Sequence, residues 1–446
     1  MKINLPSGVK TIIDTLAQKG FDAYAVGGCI RDSIMNKTPS DWDICTSSLP
    51  EETLETLGKH NIIKNGLKHG TVTVRFDGVS YEITTFRVDG EYSDNRHPNS
   101  VKFVRNLKDD LARRDFTINA MAYNERDGLC DYYGGSDDIK NKIIRCVGDP
   151  DKRFFEDGLR IMRALRFASV LGFDIEKETA DSIHRCKNLL KNISAERIMS
   201  EFSKLIVGKN AEKILLEYED VFCVFIPEIK AMIGFKQKNP HHIYDVWTHT
   251  VKAVVNTPPE KIIRLSALFH DIGKPKTFFT DKKDIGHFYG HPAVSADLTH
   301  KILKRLKCDN KTIEQVTTLV KMHDVMIIPE PKYVRRVLAK IGTEMFQQLL
   351  YIKRADSLAQ NPSTLPEKTE YLKKLESVYN DEINKSEDFS LKSLAINGND
   401  LIQIGITDGK QIGDCLKKLF SMVIDGTLKN DKTALIETAK KFYKIK

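Results

Sequence analysis

Apolar and polar residues alternate through Thr71–Phe76 (TVTVRF) and Val79–Phe86 (VSYEITTF), the period-two pattern of strands with one covered face. Asp77-Gly78 lies between them and is a strong hairpin signal. Upstream, FDAYAVGG (21–28) reads as a short strand running into a turn. The first twenty residues read as an amphipathic helix and lack the continuous apolar run of a signal peptide. Beyond about residue 145 the strand pattern nearly vanishes. Apolar positions then recur at helical spacing, punctuated by Gly and Pro. One helix is expected from about Asp157 to Leu171, stopped by Gly172, and another over KIIRLSALFHD (261–271), stopped by Gly273 and Pro275. PSTLP (362–366) and the polar run Asn380–Asp388 read as connectors. No internal repeat or low-complexity tract is visible. The expected fold is α+β, a small mixed α/β head followed by a mostly helical body.

Composition narrows this picture only a little. A chain of 446 residues is long enough for roughly two to four domains. The longest apolar stretches fall far short of the roughly 20 residues of a membrane span, so no membrane partner is expected. Eight cysteines are scattered without a CxxC pair, which argues against a zinc cluster or a disulfide framework and for a reducing, cytoplasmic setting. A formal charge of +8 suits a polyanionic partner without naming one. Nothing in the pattern fixes an oligomeric state.

Three constellations in the first 170 residues carry chemistry. Gly27-Gly28 follows a strand, so backbone can approach a phosphate there; Arg31-Asp32 and Asp41-Trp42-Asp43 follow. Asp41 and Asp43 are two apart, which on extended backbone puts both carboxylates on one face. Such a face suits a pair of divalent ions about 3.5–4 Å apart, the arrangement for in-line nucleotidyl displacement. Glu82, on the neighbouring strand, is a candidate third carboxylate. Next, in DLARRDFTINAMA (110–122), the guanidinium forks of Arg113 and Arg114 match phosphate oxygens, and Asn119 offers a donor and an acceptor to a sugar hydroxyl. Finally, Glu156-Asp157 leads into Arg160, Arg163 and Arg166 at helical spacing of three. Asp157 and Arg160 would then sit side by side as acceptor and donor for a base edge. Each pattern alone is also that of an ordinary turn or a solvated helix; the ordered set is not.

Together these segments resemble the class II CCA-adding enzyme and bacterial poly(A) polymerase family, within the polymerase-beta-like nucleotidyltransferases. GGCIRDSIMNKTPSDWDI is similar to that family's metal and triphosphate motif, RRDFTINAMA to its ribose motif, and EDGLRIMRALRFASVLGF to its base-selecting motif. SAERIMSEFSKLI resembles the helical segment that follows. The likeness runs over essentially the whole chain. It implies a head (1–145), a neck carrying the base-selecting motif (146–225), a body (226–375) and a tRNA-binding tail (376–446). It also implies a substrate tRNA extended from CTP and ATP, with Mg²⁺ on Asp41 and Asp43. Gly28, Arg31, Arg113, Arg114 and Asn119 would contact phosphates or ribose; Asp157 and Arg160 would pair with the incoming base, with Arg163 and Arg166 extending the basic edge. Members of the family differ in product: CCA, CC only, A only or poly(A). RVDGEYSDNRHP (87–98) resembles the loop associated with adding the terminal A. The C-terminal INGNDLIQIGITDGKQIGDCLKKLFSMVIDG resembles the tail of CCA-adding members. Full CCA addition is the expectation, with A-only addition and poly(A) synthesis as rivals.

Histidines concentrate beyond residue 240. His249, His270-Asp271 and Asp356 resemble the H…HD…D ligand series of the HD phosphohydrolase superfamily. That resemblance implies a divalent transition metal or Mg²⁺ on these four residues, and phosphate contacts from Lys274, His291 and His323. A phosphohydrolase activity is expected beside nucleotidyl transfer. As the main activity, with the head only recruiting RNA, it is opposed by the intact Asp41 and Asp43.

Overall fold

A computed structural model describes residues 2–58, 61–63, 67, 70–90, 100–385 and 389–445. Most of the loop read at 87–98 lies outside the described residues. The chain divides into two compact units, Met1–Pro227 and Glu228–Lys446. Among the described residues no helix is long and apolar enough to cross a membrane.

The first unit opens with α1 (Ser7–Gln18), β1 (Ala23–Val26), α2 (Gly28–Ile34), β2 (Asp43–Thr46) and α3 (Pro50–Leu57). Strands β3 (Asn61–Ile63), β4 (Thr71–Phe76) and β5 (Val79–Thr85) follow, then a separate pair, β6 (Arg87–Asp89) and β7 (Val101–Phe103). After α4 (Leu107–Ala112) come β8 (Ala122–Asn124) and β9 (Gly128–Cys130). The central sheet has the order β3-β4-β5-β2-β1-β8-β9. Only β2 and β5 run parallel within it. A parallel pair cannot be joined by a tight turn, and α3, β3 and β4 make the crossover. The β4–β5 turn is as read: Asp77 and Gly78 have φ of 48° and 82°, the paired positive values of a tight hairpin. Behind the sheet, Val26, Phe86, Leu111 and Ala122 form a buried core. Truncating Phe86 to alanine there would cost about 3–5 kcal/mol.

Beyond the sheet the first unit is helical: α5 (Gly135–Asn141), α6 (Pro150–Glu156), α7 (Leu159–Leu171), α8 (Lys177–Cys186), α9 (Ala195–Ile206), α10 (Ala211–Glu217) and α11 (Glu219–Phe225). Two-residue strands β10 (Ile143–Ile144) and β11 (Asp174–Ile175) pair alongside. Gly172 ends α7 in the left-handed region, φ 69°, as the sequence implies.

The second unit contains α12 (Val246–Val255), α13 (Lys261–Phe269), α14 (Lys274–Thr277), the hairpin β12 (Phe279–Thr280) and β13 (Gly286–His287), then α15 (His291–Arg305) and α16 (Asn310–Met322). Next is α17 (Pro331–Leu358), broken where Gly342 takes φ 79°. It packs with α18 (Leu365–Asn384) around Val334, Phe346, Leu349 and Tyr379. The polar run from Asn380 is not a connector as far as Asn384. Glu382 faces inward at zero exposure and accepts from Arg335 (3.1 Å), so α18 carries on through residues whose other faces are polar. It also runs unbroken past 375/376. The last helices, α19 (Gly398–Gln403), α20 (Gly409–Ile424) and α21 (Lys432–Tyr443), enclose a small core of Leu401, Cys415, Leu419 and Leu435.

Candidate functional site

Strand register builds the carboxylate end of the head. Val26 pairs with Asp43 across β1 and β2, and Asp43 pairs with Glu82 across β2 and β5, so residues far apart in sequence meet at one end of the sheet. Asp41 lies two residues before β2 and accepts from Ser40 Oγ at 3.0 Å. The Asp43 carboxyl is raised, first by loss of solvent and then by Asp41 and Glu82, with Arg114 opposing. Three carboxylates that repel protons' loss from one another, all hard oxygen donors, are the chemistry a divalent cation satisfies. Asp41, Asp43 and Glu82 are not among the described triples whose donor atoms all lie within 4.8 Å of one another. Beside them, Gly27 has φ 85° and donates to Met121 O at 3.0 Å. A Cβ there would stand 2.9 Å from Arg114 Nη1, so only glycine lets this arginine cross the turn.

The two adjacent arginines are held by one fully buried carboxylate. Asp110 takes Arg113 at 2.8 Å and Arg114 at 3.7 Å, and the Arg87 backbone N–H at 3.2 Å. From Arg31 a continuous line of bonds runs inward. Arg31 Nη1 donates to Asn119 Oδ1 (2.7 Å), Asn119 Nδ2 donates to Asp115 Oδ1 (3.2 Å), and Arg163 meets Asp115 Oδ2 at 2.6 Å. Burial would push Asp115 up, but Arg163 and Arg160 outweigh it and hold the carboxyl down at about 2. The ring of Phe167 faces three guanidiniums, Arg31 at 5.1 Å, Arg163 at 5.4 Å and Arg166 at 3.8 Å from its centroid.

Asp157 and Arg160 are close in the chain, but their side chains turn to different partners. The helix starts at Leu159, so Asp157 is extended (φ −141°) in the break after α6. Its carboxylate accepts from Leu159 N (3.0 Å) and from Arg197 Nη2 (2.9 Å). Arg160 instead donates to Glu156 (2.6 Å), Arg153 O (3.1 Å) and Arg113 O (3.0 Å). Arg166 pairs with Glu201 at 2.5 Å. Sequence reasoning missed Arg197, Glu201 and the anchoring role of Asp110. A signal existed for the first two: they are four apart on α9, whose apolar positions all face one way. A cleft of about 750 Å³ opens beside Asp89, Arg113, Arg153, Phe155 and Glu156.

The second unit brings His249, His270, Asp271 and Asp356 together. His249 Nε2 lies 3.2 Å from Asp271 Oδ2 and 3.0 Å from Asp356 Oδ1; His270 Nε2 lies 3.1 and 3.5 Å from the same atoms. His291 and His323 reach the other Asp271 oxygen, at 3.3 and 3.8 Å. Two candidate ligand groups therefore share Asp271. All four imidazoles place Nδ1 on a backbone carbonyl, those of Ala359, Ala267, Phe288 and Val320. That fixes the Nε2 lone pairs inward, the orientation of metal-binding histidines. Burial opposes charge on His270, yet Asp271 and Asp356 raise it to about 10; these carboxylates demand positive charge, which a cation satisfies equally. Lys274 supplies some, 2.7 Å from Asp271 Oδ2, and also donates to Gln237 Oε1 at 2.9 Å. Gly273 lets the turn press against α15, where a Cβ would stand 2.7 Å from Ser295 N.

Residues 23–145 match the poly A polymerase head domain, 172–233 a probable RNA and SrmB-binding site of polymerase A, and 292–439 a putative tRNA nucleotidyltransferase domain 2. Fold and site define a nucleotidyltransferase with a polymerase-type head. The CCA-adding enzyme of Ligilactobacillus salivarius (strain UCC118) is 32% identical over 460 aligned residues, covering 99% of each chain. That of Pediococcus pentosaceus is 34% identical over 436, covering 98% of each. The chain belongs to the family of CCA-adding enzymes. The crystal structure of the Bacillus stearothermophilus CCA-adding enzyme in complex with CTP superposes with a TM-score of 0.73 at 28% identity, over 97% of this chain and 96% of that one. The Thermotoga maritima CCA-adding enzyme complexed with tRNA shares the fold, with a TM-score of 0.57 at 20% identity, over 99% of this chain and 100% of that one.

Proposed function

We propose that this chain adds CCA to the 3′ end of tRNA from CTP and ATP without a nucleic-acid template, releasing pyrophosphate. The observation that carries the reading is the bonded line Arg31–Asn119–Asp115–Arg163, which couples a phosphate-facing arginine beside the paired carboxylates to a base-facing helix. In the reaction the tRNA 3′-oxygen bonds to the α-phosphorus, the bond from that phosphorus to the bridging oxygen breaks, and pyrophosphate leaves. Arg31, Arg113 and Arg114, with backbone at Gly28, hold the triphosphate in line. Asn119 faces the ribose, and Asp157 and Arg160 read the base edge. Arg197 and Glu156 set the angles of those two side chains, and Arg163 and Arg166 brace the helix through Asp115 and Glu201. Asp41 and Asp43 are the residues that would hold Mg²⁺, which when bound acidifies the 3′-hydroxyl and neutralises the leaving charge.

The remaining parts divide the work as head 1–145, neck 146–225, histidine-bearing body 226–375 and tRNA-binding tail 376–446. The body would carry a phosphohydrolase centre, with a divalent transition metal or Mg²⁺ on His249, His270, Asp271 and Asp356. Lys274 would neutralise a bound phosphate. His291 and His323, against the second oxygen of Asp271, fit ligands better than the phosphate contacts their sequence positions suggest. The substrates place the reaction in the cytoplasm.

The test is extension of tRNA transcripts ending before the CCA, after its first C and after its second, with CTP, ATP or both. Maturation of all three to CCA, stopping there, is expected. Extension only of the last, by ATP alone, would make this an A-adding enzyme; long tails from ATP would make it a poly(A) polymerase. No extension at all would leave hydrolysis as the main activity.

A further inference from the structure

At the rim of the histidine pocket three rings lie together with open outer faces. Phe279 and His287 are cross-strand partners in the β12–β13 hairpin, stacked with centroids 5.4 Å apart. Tyr289 stacks on His287 at 5.4 Å and meets Phe279 at 5.5 Å. Tyr289 is 75% exposed and Phe279 44%. The residue between, Phe288, points the other way, is buried, and covers Lys274 at 5.1 Å. The alternation thus gives one ring to the pocket floor and leaves two at its mouth. The platform is also fixed. Gly286 donates to Lys238 O at 2.7 Å, and His287 Nε2 bonds Asp281 at 3.1 Å. Tyr289 stands two residues before His291, and both line the same cavity of about 290 Å³ as Asp271, Lys274 and His323.

We propose that Phe279, His287 and Tyr289 form a stacking subsite for a nucleobase, so that the histidine pocket takes its phosphoester on a nucleoside. This rests on the reading of that pocket as a phosphohydrolase centre. A phosphoester on a plain alkyl or sugar group has no flat face to set against these rings. A base has one, and stacking on aromatic side chains tolerates any base. The polar cavity takes the phosphate while the base lies outside it on Tyr289. Both a free nucleotide and the end of an RNA carry this pairing of base and phosphate.

The full chain is compared on cytidine monophosphate, a short RNA with a terminal phosphate, and ribose 5-phosphate, and photo-crosslinked with 8-azidoadenosine monophosphate followed by peptide mapping. The KM for cytidine monophosphate or the RNA should lie at least about tenfold below that for ribose 5-phosphate, the lower of the two naming the source. Tyr289→Ala should remove that advantage with kcat and CCA addition unchanged, Tyr289→Trp should restore it, and crosslinks should map to 279–289. Equal KM values for all three phosphoesters, in wild type and Tyr289→Ala alike, would overturn the subsite and leave the hydrolase reading intact. Crosslinks confined to the first unit, or dimerisation of the chain that Tyr289→Ala abolishes, would also overturn it. Hydrolysis of none of the three would overturn the hydrolase reading itself, while crosslinks at 279–289 would still report the base.

Discussion

Arg31 and Asn119, 88 residues apart in sequence, meet through a 2.7 Å hydrogen bond in which the guanidinium donates to the amide oxygen. The bond fixes the amide orientation, because the Asn119 nitrogen is then left to donate to Asp115. Asn119→Ala removes both bonds and frees Arg31 from the inner network. A hydrogen bond to a charged group contributes about 1.5–3 kcal/mol, so kcat/KM for nucleotide addition should fall about ten- to a hundredfold. Asn119→Asp, which can accept but no longer donate to Asp115, should not rescue it. Steady-state extension assays with CTP and ATP check both variants.

Asp41 and Asp43 are solvent-facing at one end of the sheet, so replacing them should leave folding intact. Asp41→Ala and Asp43→Ala should each lower addition by about three orders of magnitude or more, with thermal unfolding unchanged. Treatment of wild type with EDTA should do the same, and Mg²⁺ should restore wild type but neither variant. Retained activity in Asp43→Ala would move the catalytic carboxylate elsewhere.

Arg197 holds Asp157 at 2.9 Å and is otherwise remote from the phosphate-facing arginines in the sequence. Arg197→Ala should release the Asp157 carboxylate and weaken discrimination between CTP and ATP about tenfold. Overall nucleotide binding should change less. Misincorporation with each nucleotide alone measures this directly. A uniform loss with both nucleotides would assign Arg197 a structural role only.

How far these relationships were legible in the sequence depends on how local they are. The hairpin at Asp77-Gly78 was legible because the turn chemistry lies in the two residues themselves. His270 and His323 are equally local: each closes a helix and bonds the carbonyl three residues back. The Asp157–Arg160 geometry was not legible, since the spacing assumes one helix and the break before Leu159 takes Asp157 out of it. Its actual partner comes from another helix 40 residues on. The Asn380 run misled because composition hides the single inward residue, Glu382, that Arg335 makes tolerable in the core.

Asp115 ties stability to pH. Its folded carboxyl lies near 2 against an ordinary 3.8. A depressed folded value stabilises the fold above the unfolded value, and that contribution is lost as pH falls from about 4 towards 2. A shift of this size corresponds to roughly 2 kcal/mol. Asp115→Asn should therefore be less stable than wild type near neutrality by about that much, and the gap should close on acidification. Urea unfolding of both chains across this range, followed by the near-ultraviolet signal, would show it; a gap constant with pH would mean that the loss is not electrostatic.

The shared carboxylate of Asp271 predicts an ion count. Its two oxygens face different histidine pairs, His249 with His270 and His291 with His323. If each group holds an ion, removing a ligand from one should spare the other, and removing Asp271 should weaken both. Measured after Mn²⁺ loading in an Asp41→Ala, Asp43→Ala background, which takes the head out of the count, the chain should retain two ions from its two groups. His291→Ala should lower that to one, and Asp271→Ala should release nearly all. Each His→Ala change also leaves a buried space, so thermal unfolding is followed beside the ion content. A single ion, unaffected by His291→Ala, would return His291 and His323 to contacting phosphate.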